Sequence, residues 1–108
     1  MRRGDLVTVA LQGDQGKPRP ALVIQSDYFS THPTVTILPV TSDMHQAPLF
    51  RVDVVAHAAT GLRKPSQVML DKAATVTRER IGGVIGALDA STLQEVDRRL
   101  AVFLGIAK

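Results

Sequence analysis

Short strand-forming apolar runs separated by turn-rich segments make up most of this chain, and a helical period of three or four enters only near the end. Residues 5–11 carry β-branched side chains with no breaker before Gly13 and read as a first strand, and residues 21–25 and 34–41 read as a second and third. In residues 49–54, Phe50, Val52 and Val54 fall on one face and Arg51 and Asp53 on the other, the pattern of a half-buried strand. Residues 66–71, ending in the carboxylate of Asp71, and residues 73–77 supply two more. Residues 82–88 are apolar but broken by glycine, which predicts a bent strand closing a small barrel. Pro39 cannot donate to a ladder, so it is expected at an edge or a bulge near the end of its strand. The turn-rich stretch 26–33 predicts a loop with Tyr28 or Phe29 tucked against the body.

Near the C-terminus, Leu93, Val96, Leu100 and Phe103 recur at helical spacing with Glu95, Asp97, Arg98 and Arg99 between them. This describes an amphipathic helix laid on the sheet. Asp89 or Ser91 can cap it, Ser91 with Gln94 fits a capping box, and Gly105 is placed to end it. Six or seven strands and one helix predict a mainly β fold, a small barrel with a packed C-terminal α-helix. No repeat or dividing linker interrupts residues 1–108, so they are expected to form one domain.

Composition narrows the chemistry. With no cysteine, a disulfide framework and a thiolate zinc site are excluded, and His32, His45 and His57 are too widely spaced for a helical ligand pair, so no metal or other cofactor is expected. The net charge of +3 favours an acidic partner, nucleic acid or acidic protein. Arg2 with Arg3, Lys17 with Arg19, Arg63 with Lys64, and Arg78 with Arg80 stand at expected loop or strand ends, and a fold that gathers those ends makes a basic patch. No apolar run approaches the ~20 residues of a membrane span. Residues 6–11 are too short, and include a threonine, for a signal-peptide core, so a cytoplasmic protein without membrane association is expected.

The most suggestive stretch is Lys17-Pro18-Arg19-Pro20, leading directly into the second strand. Two prolines hold the backbone around Arg19 extended and stiff. Arg19 is then either a functional cation at the mouth of the sheet or the partner of a surface carboxylate.

Four blocks in order resemble the MazF/PemK/Kid toxins of bacterial toxin–antitoxin systems. They are Arg3-Gly4-Asp5-Leu6-Val7 with the hairpin from Gly13 through Arg19 to Asp27; Pro39-Val40-Thr41-Ser42; Leu62-Arg63-Lys64-Pro65-Ser66-Gln67-Val68-Met69-Leu70-Asp71 followed by Thr75-Val76; and Leu93-Gln94-Glu95-Val96-Asp97. The resemblance implies an SH3-like barrel that forms a homodimer and cleaves single-stranded mRNA, sequence-selectively and without metal. It implies catalytic roles for Arg19 on the phosphate, for Thr41 as the family's active-site threonine, and for Asp14 or Asp71 as base or ribose contact. Gln15, Lys17, Ser42, Lys72 and Arg78 would contact RNA. It also implies an antitoxin with an acidic, partly disordered segment covering the groove. The chain departs from some family members in having Met69, Lys72 and Ala74 where they carry an arginine, a glutamine and an arginine. Two other readings remain: a gyrase poison like CcdB, echoed by the tail Phe103-Leu104-Gly105-Ile106 but lacking its tryptophan, and an inactive module that binds RNA or antitoxin.

Overall fold

The computed structural model describes residues 1–10 and 17–108. All seven predicted strands form: β1 (Asp5–Ala10), β2 (Pro18–Val23), β3 (Thr34–Thr41), β4 (Arg51–Val54), β5 (Ser66–Met69), β6 (Ala74–Thr77) and β7 (Ile81–Ala87), followed by one helix, α1 (Ala90–Phe103). They pair antiparallel in the order β4-β5-β3-β2-β1-β7, with β6 also on β3. On one side, β3 pairs with β2. On the other it is shared, β6 taking Thr34 to Ile37 and β5 taking Val40 and Thr41. This branching curls the sheet into a small SH3-like barrel.

Pro39 sits at the branch point. It lies inside the sheet, opposite Ala21, where no residue of β6 or β5 pairs with it on the other side. The expectation of an edge or bulge is therefore corrected: a residue without an N–H is accommodated in an interior strand because the ladder there is interrupted. Pro18 and Pro20 do obey the edge rule, since that half of β2 pairs only with β1. The second strand accordingly starts earlier than its apolar run, at Pro18, and ends at Val23.

The two faces of the central strands bury different sets of side chains. Leu6, Leu22, Leu38 and Val40 join Val52, Val54, Val68 and Leu70 beneath α1, which contributes Val96 and Leu100. Val7, Val9, Ala21, Val23, Val35, Ile37 and Val76 fill the opposite face. This strict alternation follows from the pleat. Where β7 meets β1 the register shifts twice, between Leu6 and Val7 and between Thr8 and Val9, which supplies the bend expected of the glycine-broken strand.

Asp89 caps α1, its carboxylate accepting from the Thr92 N–H at 2.9 Å; Ser91 lies inside the first turn, so the Ser91–Gln94 capping box does not form. At the other end Gly105, at φ +78°, donates to the Val102 carbonyl while Ile106 donates to Ala101, the paired closure of a Schellman motif. Three apolar expectations are corrected. Phe50 and Phe103 remain substantially exposed, because β4 begins only at Arg51 and the helix contact ends at Leu100; Tyr28 stands out from its loop rather than packing on the body. Arg3 ties the N-terminus to the helix through a forked pair with Asp97 at 2.7 and 3.1 Å, and to Ile24 O at 2.9 Å. No described helix is long and apolar enough to cross a membrane.

Candidate active site

Arg19 and Thr41 come together through sheet register. Ala21 faces Pro39 across the β2–β3 ladder. The β2–β3 ladder ends at that pair, and two residues beyond it, toward the same end of the sheet, stand Arg19 and Thr41 on neighbouring strands. Val9 lies opposite Arg19 on β1, and Gln67 lies opposite Thr41 on β5, itself paired to Asp53 on β4. One row across β3, β5 and β4 thus carries a threonine, a glutamine and an aspartate, with Arg19 just beyond the end of the β2–β3 ladder. Arg19 is exposed and Thr41 half-buried.

A hydrogen-bond network fixes the loop that leaves Thr41. The Thr41 hydroxyl accepts from the Asp43 N–H at 3.0 Å, placing Ser42 in a tight turn. Gln67, only 5% exposed, accepts at Oε1 from the His45 N–H at 3.0 Å and from Arg51 at 2.9 Å. Its Nε2 donates to the His45 carbonyl at 2.8 Å and to Asp53 at 2.9 Å. Arg51 also donates to the Asp43 carbonyl at 2.7 Å, while its buried Nε has no hydrogen-bond partner among the described residues. Pattern reading missed Gln67, Arg51 and Asp43. The signal available was a glutamine at a buried position of a short strand, where an unsatisfied amide is costly and a partner is required.

The remaining predicted residues are dispersed. Lys17 adjoins β2 and Ser42 adjoins Thr41. Asp71 and Lys72 lie on the 3-10 turn from β5 to β6, which passes the middle of β3, so they are displaced from Thr41 by roughly 8–10 Å along the strand. This turn also ends the fifth strand at Met69, two residues before the expected Asp71. Arg78 is at the opposite end of β3 from Thr41, its N–H on the Pro33 carbonyl, so it does not join the row directly. Asp14 and Gln15 lie outside the described residues.

A groove of about 790 Å³ runs between residues 44–48, β4 and α1, and shares only Asp53 and Gln67 with the row. Its helix wall is held by Glu95, which pairs with Arg98 at 2.6 Å and Arg99 at 2.5 Å. Those hydrogen bonds, the one from Arg98 foremost, hold the Glu95 carboxyl down to about 2. Arg99 reaches on to the Pro48 and Arg51 carbonyls at 2.8 and 3.0 Å, joining the helix to the β4 edge. Among the described residues no three His, Asp or Glu side chains gather as a metal site.

The architecture is that of a small antiparallel β-barrel with one packed helix, carrying an arginine and a threonine on neighbouring strands at one end. Residues 2–104 match the profile of the PemK-like, MazF-like toxins of type II toxin–antitoxin systems, and the chain belongs to that family. It is 44% identical to a probable endoribonuclease MazF of Mycolicibacterium smegmatis over 99% of both chains, and 27% identical to the endoribonuclease EndoA of Bacillus subtilis over 98% of this chain and 96% of that one. Among solved structures, the Mycobacterium tuberculosis toxin MazF-mt6 superposes with a TM-score of 0.82 at 25% identity, covering 96% of this chain and 99% of its own. The MazE–MazF complex of Deinococcus radiodurans matches at 0.79 and 27%, covering 99% and 97%.

Proposed function

We propose that this toxin is an endoribonuclease that cuts single-stranded mRNA at selected sequences through attack by the ribose 2′-hydroxyl, with Arg19 and Thr41 at the scissile phosphate. The observation that carries the reading is their placement on neighbouring strands at one end of the sheet, in a chain whose family relatives bear the name endoribonuclease. The 2′-oxygen is tethered beside the phosphorus, so no metal is needed to generate the nucleophile. As its O–P bond forms and the bond to the 5′-oxygen breaks, negative charge gathers on the non-bridging oxygens. The always-charged fork of Arg19 is suited to bind them in that transition state. The Thr41 hydroxyl, held toward the turn by Asp43, orients the phosphate. Asp14 or Asp71 takes the 2′-proton or contacts the ribose, and Gln15, Lys17, Ser42 and Lys72 line the strand. The 5′-oxygen departs taking a proton from solvent water, and the products are a 2′,3′-cyclic phosphate and a 5′-hydroxyl.

The active form is a homodimer in the cytoplasm, held silent by an antitoxin whose acidic segment competes for the basic mouth; the solved MazE–MazF complex among its structural neighbours supports the antitoxin partner. The test is incubation with a long single-stranded RNA in EDTA beside Arg19→Ala. Discrete cuts leaving 5′-hydroxyl ends, absent with the folded variant, are expected. Equal cutting by the variant overturns the assignment of Arg19, and no cutting by the antitoxin-free wild type overturns the activity.

A further inference from the structure

The loop between β2 and β3 holds the chain's one tyrosine in the open. Tyr28 is 88% exposed and Phe29 50%, their rings 5.2 Å apart and edge to face, and His32 continues the cluster 6.3 Å from Phe29. All four Phe and Tyr side chains of the chain lie outside the core, and Tyr28 and Phe29 are the two that pack on each other in one loop. The loop beneath them is braced. Gln25 accepts from the Thr36 N–H at 3.0 Å and donates to the Thr34 carbonyl at 2.9 Å; Ser26 accepts from the Tyr28 N–H at 3.1 Å; Asp27 accepts from the Arg3 N–H at 2.8 Å. Rings held this way lose little freedom on meeting a partner.

Cations connect this loop to the Arg19 end of the barrel. Arg78 donates from Nε to the His32 carbonyl and from a terminal nitrogen to Phe29 O at 3.3 Å, and with Arg2 it lines a shallow cleft beside Phe29. Arg80, two residues on, donates to the Ala10 carbonyl at 3.1 Å. Ile81 then pairs with Val9, which faces Arg19. Two strand spacings and one 3-10 turn therefore separate Arg19 from Arg78, about 15 Å. Among the described residues the carboxylates in this region include Asp27, which accepts from the Arg3 N–H, Asp5, which accepts from the Arg2 N–H at 2.8 Å, and Glu79, within the turn.

Resting on the ribonuclease reading above, we propose that Tyr28 and Phe29, with Arg78 and Arg80 leading to them from Arg19, form a second contact for single-stranded RNA, on which bases flanking the cleavage site stack. Aromatic faces accept any base and backbone cations accept any phosphate. The platform therefore adds affinity and reach without adding sequence selectivity.

Because Tyr28 is the only tyrosine, incorporation of 3-fluorotyrosine gives a single 19F resonance from the platform. The probe is a dye-labelled, mixed-sequence 12-nucleotide RNA carrying 2′-O-methyl groups throughout, which cannot be cut, with its binding followed separately by anisotropy. The expected result is a shift of the resonance that saturates with binding and persists in Arg19→Ala. Tyr28→Ala weakens binding roughly tenfold, and Arg78→Gln flattens its salt dependence. Binding without any change at Tyr28 overturns the platform and leaves the ribonuclease reading standing, whereas absence of binding overturns both. A resonance that moves with protein concentration and ignores RNA overturns the proposal by assigning the face to a second copy of the chain.

Discussion

Gln67 faces Thr41 across the β3–β5 ladder, and its side-chain amide grips both the N–H and the carbonyl of His45 in the loop that leaves Thr41. A backbone pair thus places the hydroxyl, while a side-chain clamp four residues on fixes where the following loop goes. Gln67→Ala is expected to leave Arg51, Asp53 and the His45 backbone short of partners, lowering stability by about 1–3 kcal/mol and reducing RNA cleavage. Chemical denaturation and initial rates on one RNA check the two effects. Gln67→Glu should do worse at neutral pH than in mild acid, because its second oxygen meets the Asp53 carboxylate and the His45 carbonyl.

Thr41 separates hydroxyl chemistry from strand packing. Thr41→Ser keeps the oxygen that accepts from Asp43, and should retain most of the cleavage rate. Thr41→Val keeps the branched shape and should lower kcat on the order of 10²-fold while melting close to wild type. Single-turnover rates with saturating RNA test this, and equal rates for the valine variant would remove Thr41 from the mechanism.

Gly61 is irreplaceable for two reasons. Its φ is +70°, and a Cβ there would stand 2.0 Å from the Ile85 carbonyl oxygen of β7. Gly61→Ala should cost at least about 1–3 kcal/mol from backbone strain alone, with the clash adding to it. A thermal melt near that of wild type would show that the loop can move away from β7.

Acid should loosen the helix. Glu95 is held at about 2 against an ordinary 4.5 by hydrogen bonds from Arg98 and Arg99, and Asp89 is also lowered, chiefly by its hydrogen bond with Thr92. Both folded-state values lie below the unfolded ones, so their contribution is complete above the unfolded values and is lost as pH falls through the folded ones. Melting temperature should be flat above about pH 5 and fall between about 4.5 and 2. Glu95→Gln should fall less steeply over that range, and an identical acid profile would show that Glu95 contributes nothing.

The local code was legible wherever a residue's near neighbours decide its state. Alternation in Val52 and Val54, the glycine-broken run through Gly82 and Gly86, and the spacing of Val96 and Leu100 mark elements the structure contains, because pleat and helical turn impose periods on any buried face. The Pro18 and Pro20 clamp, the Asp89 cap and the Gly105 stop depend on φ restriction and nearby hydrogen bonds, so they too were readable. Arg19 and Thr41 could be named from the resemblance, but not their adjacency.

Adjacency belongs to the tertiary structure. Pairing strands distant in sequence is decided by the summed burial of whole faces, a quantity no short window contains. Only the branching of the β3 ladder shows why Pro39 is tolerated inside the sheet and why Asp71 stands apart from Thr41. Only the register makes Gln67 the neighbour of Thr41. Exposure follows the same logic: Phe50, Phe103 and Tyr28 have apolar side chains suited to burial, yet whether anything covers them depends on where other parts of the chain come to lie. The sequence by itself determined the inventory of strands, caps and candidate chemistry, and the three-dimensional pairing decided which of those residues meet.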